Sequence, residues 1–147
     1  MSTITQAPTQ VTTHQAAPAT ERRPVWKHGV AAAAVAAVAT TVVAAVASAA
    51  GVSFADTTGE SIPVFAFPQL TLIFSLIGVG VAAVMARKAR RPRSTFVRTA
   101  VALTVLSYVP DVTFGFDAAS AVALISAHTV AAAIVVPTLA RRLNHTR

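Results

Sequence analysis

Four apolar stretches separated by short polar connections organise the chain. The first extends from about Gly29 to Ala50 and is nearly all Ala and Val, with Thr40, Thr41 and Ser48 as polar exceptions. At ~1.5 Å per residue it reaches ~33 Å, enough for a hydrocarbon core of ~30 Å. Alanine contributes little to insertion, so this stretch depends on packing against its neighbours. The competing reading is a cleaved signal peptide, since Ala47-Ser48-Ala49 resembles a small-x-small cleavage site. The apolar run exceeds the ~7–15 residues of such signals, and a long tail precedes it, which favours a retained span.

The second stretch, about Ala66 to Ala86, divides into two faces at helical spacing. Thr71, Ser75, Gly78, Ala82 and Ala86 form a small stripe, and Leu70, Phe74, Ile77, Val81 and Val84 a bulky one. In lipid, small residues let helix backbones approach while bulky ones can face acyl chains. The small stripe is expected inside, with Gly78 and Ala82 against another helix. A third helix is expected over about Thr95 to Val109, with Ser94 as N-cap. Ala100, Thr104 and Ser107 form its small and polar stripe, and Asp111 continues that register. Pro110 disfavours helical geometry at Val109, which predicts an end or kink there and places Asp111 near the outer interface. Phe114-Gly115-Phe116-Asp117 reads as a turn, with Asp117 capping a fourth helix from about Ala118 to Ala140. His128 lies near its midpoint and Pro137 near its end.

The expected fold is therefore all-α: a four-helix transmembrane bundle over 26–143, with spans about 29–50, 66–86, 95–109 and 118–140. Residues 1–25, rich in Thr, Gln, Ala and Pro without apolar periodicity, read as a disordered tail, and 144–147 as a second short tail. Composition agrees, since only 12% of the residues are charged and mean hydropathy is +0.64, against roughly 25% charged in a soluble domain. The net charge of +7 raises nucleic-acid binding, but the distribution of charge excludes it. All 12 Lys and Arg fall in the N-terminal tail and its edge, the central segment Arg87–Arg98, and the C-terminal end. Asp56, Glu60, Asp111 and Asp117 lie in the two intervening connections, which carry no cation. Clustered Lys and Arg remain cytoplasmic during insertion, so the alternation predicts both termini inside. The aromatics fit that frame: Phe54, Phe65, Phe67, Tyr108, Phe114 and Phe116 at the outer boundary, Trp26 and Phe96 at the inner. The chain has no cysteine, which excludes disulfides and thiolate metal sites.

Chemistry-bearing motifs are absent: no Walker loop, GxGxxG, HExxH, GxSxG or paired carboxylates within a span. The sequence points to no enzyme and no cofactor. His14, His28, His128 and His145 are scattered, which leaves no histidine metal cluster. His128 falls at the depth of Thr40, Thr41, Ser75 and Thr104, and an intramembrane ionisable group is a functional hypothesis by default. With no carboxylate expected at its depth, the structural alternative is favoured: a neutral imidazole bonding these hydroxyls across the bundle. Asp111 with Gln69 is either an outward-facing cation or proton site or a cap for a broken helix, and the cap is favoured. Arg87, Lys88, Arg90, Arg91 and Arg93 would contact anionic lipid head groups at ~1 kcal/mol each, needing no specific partner. Expected partners are the bilayer, inner-leaflet anionic lipid, and either further copies of the chain or another membrane protein. A small oligomeric transporter or channel using the intramembrane polar residues is the rival to a structural component.

From Gly51 to Leu143 the chain resembles a family of uncharacterised four-span actinobacterial membrane proteins, a domain of unknown function. The residues that carry this are Asp56 with Ile62-Pro63, Leu70-Thr71, Ser75-Leu76, and Ala89-Arg90-Arg91-Pro92-Arg93. Ser107 with Pro110-Asp111, His128, Ile134-Val135-Val136-Pro137 and Ala140-Arg141-Arg142-Leu143 complete the set. The tail and first span lie outside it. The resemblance implies a multi-pass protein of the bacterial plasma membrane and cell envelope, and it supplies no activity.

Overall fold

The computed structural model describes residues 25–143. The N-terminal tail and residues 144–147 lie outside them. Four helices follow in order: α1 (Val25–Ala49), α2 (Ala66–Lys88), α3 (Pro92–Thr113) and α4 (Ala118–Leu143). Three of them, α1 from Trp26, α2 and α4, are long and apolar enough to cross a membrane.

Local chemistry sets each boundary. α1 is terminated by Gly51, whose φ of 90° belongs to the left-handed region that glycine adopts without penalty. Gly51 N–H donates to the Ser48 carbonyl and Val52 N–H to the Ala47 carbonyl, which satisfies the last turn as a Schellman motif. Arg87 and Lys88 close α2, where cations complement the helix dipole. Pro92 then opens α3 at a position where its missing N–H costs nothing. Ser94 is not the cap: its hydroxyl donates to the Arg91 carbonyl from inside the first turn. At α4, Asp117 Oδ1 accepts the Ser120 N–H at 2.9 Å, the capping bond expected of it.

Pro110 does not end α3. The helix continues to Thr113, with the Phe114 N–H donating to the Pro110 carbonyl and the Thr113 hydroxyl to that of Val109. Proline removes one donor, but the Val109 and Pro110 carbonyls both find donors in the next turn, so the helix continues past the interruption.

α1 is the spine, packed extensively against both α2 and α4, while α3 packs mainly on α4. Its buried positions are small: Ala32, Ala33, Ala36, Ala37, Thr40 and Ala44. Two apolar clusters fill the bundle. One, toward the basic loop, joins Ala36, Val79, Ala82, Phe96, Val135 and Leu139. The other joins Ala44, Phe54, Phe67, Ala123, Leu124 and Ala127. Between them Thr40 and Thr71 share a 2.9 Å hydrogen bond across α1 and α2. Phe54, Phe67 and Phe96 are buried in the core, whereas Phe65, Phe114 and Trp26 are exposed. On α2 Ser75 and Ala82 are buried and Leu70, Phe74, Ile77 and Val84 exposed as expected, but Val81 is half-buried against the core and Val79 is buried in it. Gly78 departs from expectation, because a Cβ built there meets nothing within 4 Å. The close approach is at Gly29, where a Cβ would lie 2.5 Å from a Val79 methyl and 3.3 Å from Leu139.

The connection between α1 and α2 folds down onto α4. Ser120 is fully buried, accepts the Phe54 N–H at 3.1 Å and donates to Asp117 Oδ2 at 3.0 Å. Phe54, at φ 53°, stacks edge-to-face on Phe67 with centroids 5.1 Å apart. Asp56 Oδ1 accepts the Thr58 hydroxyl and the Thr58 and Glu60 N–H groups, which closes a small hairpin. Gly115 faces Thr57 so closely that a Cβ would collide with it. The two connections thus form one capping layer.

Gly29→Leu is expected to destabilise the bundle by about 1–3 kcal/mol through overpacking against Val79 and Leu139, while Gly78→Ala is neutral or stabilising. Thermal unfolding in detergent checks this, and equal loss at both sites would contradict it. The capping layer carries a pH dependence. The hydroxyl and N–H of Thr58 hold the Asp56 carboxyl below its ordinary range, and the Ser120 N–H and hydroxyl do so for Asp117. A depressed carboxyl stabilises the fold above about pH 4, and that contribution is lost as pH falls through the folded value. Amide exchange at Thr58, Glu60 and Ser120, corrected for intrinsic rates, should show protection at about pH 6 that fades toward pH 3. Unchanged protection would contradict it.

Candidate functional site

The small and polar stripe of α3 faces the bundle: Ala100, Thr104 and Ser107 are half-buried and Asp111 is only 5% exposed. Val101, Val105, Leu106, Val109 and Val112 point away from it. Because α3 remains helical through Pro110, Asp111 is held on this stripe and meets α4. Its Oδ2 lies 3.1 Å from His128 Nδ1. One turn back, the Tyr108 and Thr129 hydroxyls share a 2.8 Å hydrogen bond, and the Tyr108 ring stands edge-on to the imidazole with centroids 6.4 Å apart.

These contacts fix an antiparallel register in which Tyr108 is opposite Thr129 and Asp111 opposite His128. Thr113, the last residue of α3, is then level with about Ile125. The first two turns of α4 project beyond α3, and residues 114–117 climb back to reach them. Asp111 and His128 each lie ~20 Å of helix from the nearest basic residue on their own helix, Arg98 and Arg141. Asp111 is thus level with His128 along the bundle and is not a cap at the end of α3.

His128 Nδ1 also lies 3.0 Å from the Leu124 carbonyl oxygen. Both neighbours of Nδ1 are acceptors, so this nitrogen carries the hydrogen. The N–H aligns with the Leu124 carbonyl, and the enclosed Asp111 Oδ2 receives no aligned hydrogen bond although it is near. The imidazole is half-exposed, with a side-chain exposure of 42% against 6% for Asp111.

The expectation of a histidine lacking a carboxylate at its own depth is overturned, since the register supplies Asp111. The hydroxyls proposed to hold the imidazole are engaged elsewhere: Thr40 with Thr71, Thr41 with the Ala37 carbonyl, and Thr104 with the Ala100 carbonyl. Ser75 is buried in α2. Gln69 is exposed on α2, and no hydrogen bond joins it to Asp111 among the described residues. Arg87, Lys88, Arg90, Arg91 and Arg93 are all exposed around the α2–α3 connection. Tyr108 and Thr129 were missed as members of the site, and the register of α3 against α4 was the signal needed to find them.

Four helices, three of them long and apolar enough to cross a bilayer, define the architecture of a helical membrane protein. Within that class the chain belongs to DUF6069, a family of unknown function, whose profile matches residues 20–145. The match takes in α1, which the resemblance had left outside. No curated protein and no solved structure matches the chain.

Leaving either partner of the Asp111–His128 contact alone is expected to cost about 1–3 kcal/mol, whereas replacing both by apolar residues restores much of the loss. In a double-substitution cycle, Asp111→Leu with His128→Leu should unfold in detergent at a higher temperature than Asp111 opposite His128→Leu. Strict additivity of the two single effects would show that the pair does not interact.

Proposed function

We propose that the chain is a non-enzymatic, multi-pass component of the bacterial plasma membrane, structural or accessory to the cell envelope. All four helices cross and both termini face the cytoplasm. The observation that carries this reading is the bulky apolar surface that the bundle turns outward. The buried positions of α1 are only Gly, Ala and Thr, and Val35, Val38, Val42, Leu70, Phe74, Ile77, Val105, Leu106 and Val109 are exposed, although Phe54, Phe67, Phe96 and Leu139 fill the core. A soluble protein does not expose apolar surface on that scale, whereas in lipid bulky residues outside and small ones inside are favourable. The exposed valines and leucines of α3 support its crossing too, despite its polar first turns. Exposed cations at Arg87, Lys88, Arg91 and Arg93 support a cytoplasmic α2–α3 loop in contact with anionic head groups. The non-enzymatic part rests on the absence of a nucleophile, metal or phosphate-binding motif in the sequence.

A second reading, a small oligomeric transporter or channel using intramembrane polar residues, is favoured by one observation, the Asp111–His128 contact within the helical bundle. Four helices enclose little volume alone, so this reading requires self-association with further copies.

Single cysteines at Thr58 and Ser94 test the topology on intact cells with an impermeant thiol reagent. Thr58→Cys is expected to react and Ser94→Cys only after permeabilisation. The reverse pattern contradicts the orientation, and neutralising the five cations of the loop should give mixed orientation.

A further inference from the structure

We propose that His128 and Asp111 form a proton-binding site whose open pole is His128 Nε2. The inference rests on the membrane-spanning reading of α3 and α4 and holds whether or not the protein moves ions across the bilayer.

The geometry fixes the tautomer. Nδ1 faces two acceptors, the Leu124 carbonyl at 3.0 Å and Asp111 Oδ2 at 3.1 Å, so it bears hydrogen in the neutral ring. Nε2 then carries the lone pair. With Nδ1 occupied, Nε2 is the pole left for a proton, on a side chain that is 42% exposed. A hydronium ion that reaches it transfers its proton to Nε2 and leaves as water. The ring becomes imidazolium, with its new charge next to the carboxylate.

Asp111 makes that step compatible with its surroundings. A lone cation at this depth is costly, but one formed 3.1 Å from a carboxylate leaves the pair without net charge. The carboxylate, in turn, has little else to compensate it. Oδ2 is enclosed and receives no aligned hydrogen bond. No Asp, Glu, His, Lys or Arg occurs in α1 beyond His28 or in α2 before Arg87. On α3 only Tyr108 and Asp111 are titratable beyond Arg98, and on α4 only His128 before Arg141. Asp117 lies at the opening of α4, ~16 Å along the helix from His128. The ionisable groups facing the imidazole are therefore Asp111 and, edge-on, Tyr108.

The test is nitrogen NMR of imidazole-labelled full-length protein in lipid nanodiscs, with resonances assigned by His128→Gln. In wild type at alkaline pH, His128 is expected as the Nδ1–H tautomer, and on acidification as imidazolium. In Asp111→Asn the pH at which the imidazolium appears should differ from wild type, because its carboxylate partner is gone. Thr138→Ala, further along α4 with its hydroxyl on the Ile134 carbonyl, should leave it in place. An Nε2–H tautomer in wild type overturns the proposal. So does a ring that never protonates between about pH 4 and 9, or a midpoint indifferent to Asp111→Asn. A parallel measurement of pH-gradient-dependent flux in liposomes separates the two ideas. Protonation of the pair without flux leaves the binding site standing and removes the transport reading.

Discussion

Helix association in lipid proceeds without a hydrophobic driving force between the helices, so it depends on how closely backbones can approach. That constraint explains the position of α1. Its Ala-rich surface is the thinnest in the molecule, and it is the helix that packs against both α2 and α4. Gly29 marks a close approach between helices, where Val79 of α2 and Leu139 of α4 converge on a position that holds no side chain. The Thr40–Thr71 hydrogen bond adds orientation between the two apolar clusters at a typical cost or gain of ~0.6 kcal/mol, a modest term beside the packing itself.

α3 is held by different means. It begins with Pro92 and Arg93, carries Arg98, and is not among the helices apolar enough to cross on composition alone. Polar contacts fix it to α4 instead, through Tyr108 with Thr129 and Asp111 with His128. The register they impose leaves the opening turns of α4 uncovered by α3. The α1–α2 connection occupies that space, with Ser120 joining Phe54 to Asp117. The polar pair, the overhang of α4 and the capping layer are consequences of one offset between two antiparallel helices.

The helices were legible in the sequence because apolar length and basic punctuation are local signals. The small and bulky faces of α2 were legible for the same reason, since 3.6-residue spacing sorts Ser75 and Ala82 from Phe74 and Ile77. What failed required knowledge of relative depth. Pro110 was read as an end or a kink because its local preference is plain, whereas the bonds from Phe114 and Thr113 that carry the helix past it depend on the fold. Asp111 was accordingly separated from His128 and given Gln69 as its company. Counting from the turn could not find the pair, because residues 114–117 span a rise along α4 and do not simply reverse the chain. Gly78 shows the limit of the small-residue rule. A small stripe identifies the inward face, but which member lies at the point of contact depends on the crossing geometry.

Whether α3 crosses the bilayer decides the topology, the depth of Asp111 and the outward apolar surface together. Nitroxide labels placed singly at Val101, Val105, Val109 and Val112 on its exposed face, in liposomes, measure this directly by power saturation with oxygen and with a water-soluble nickel chelate. A helix that crosses predicts oxygen access at Val105 and Val109 with the chelate excluded, and chelate access rising only toward the ends. Uniformly high chelate access along all four positions would mean that α3 lies in water, and would contradict the four-span bundle.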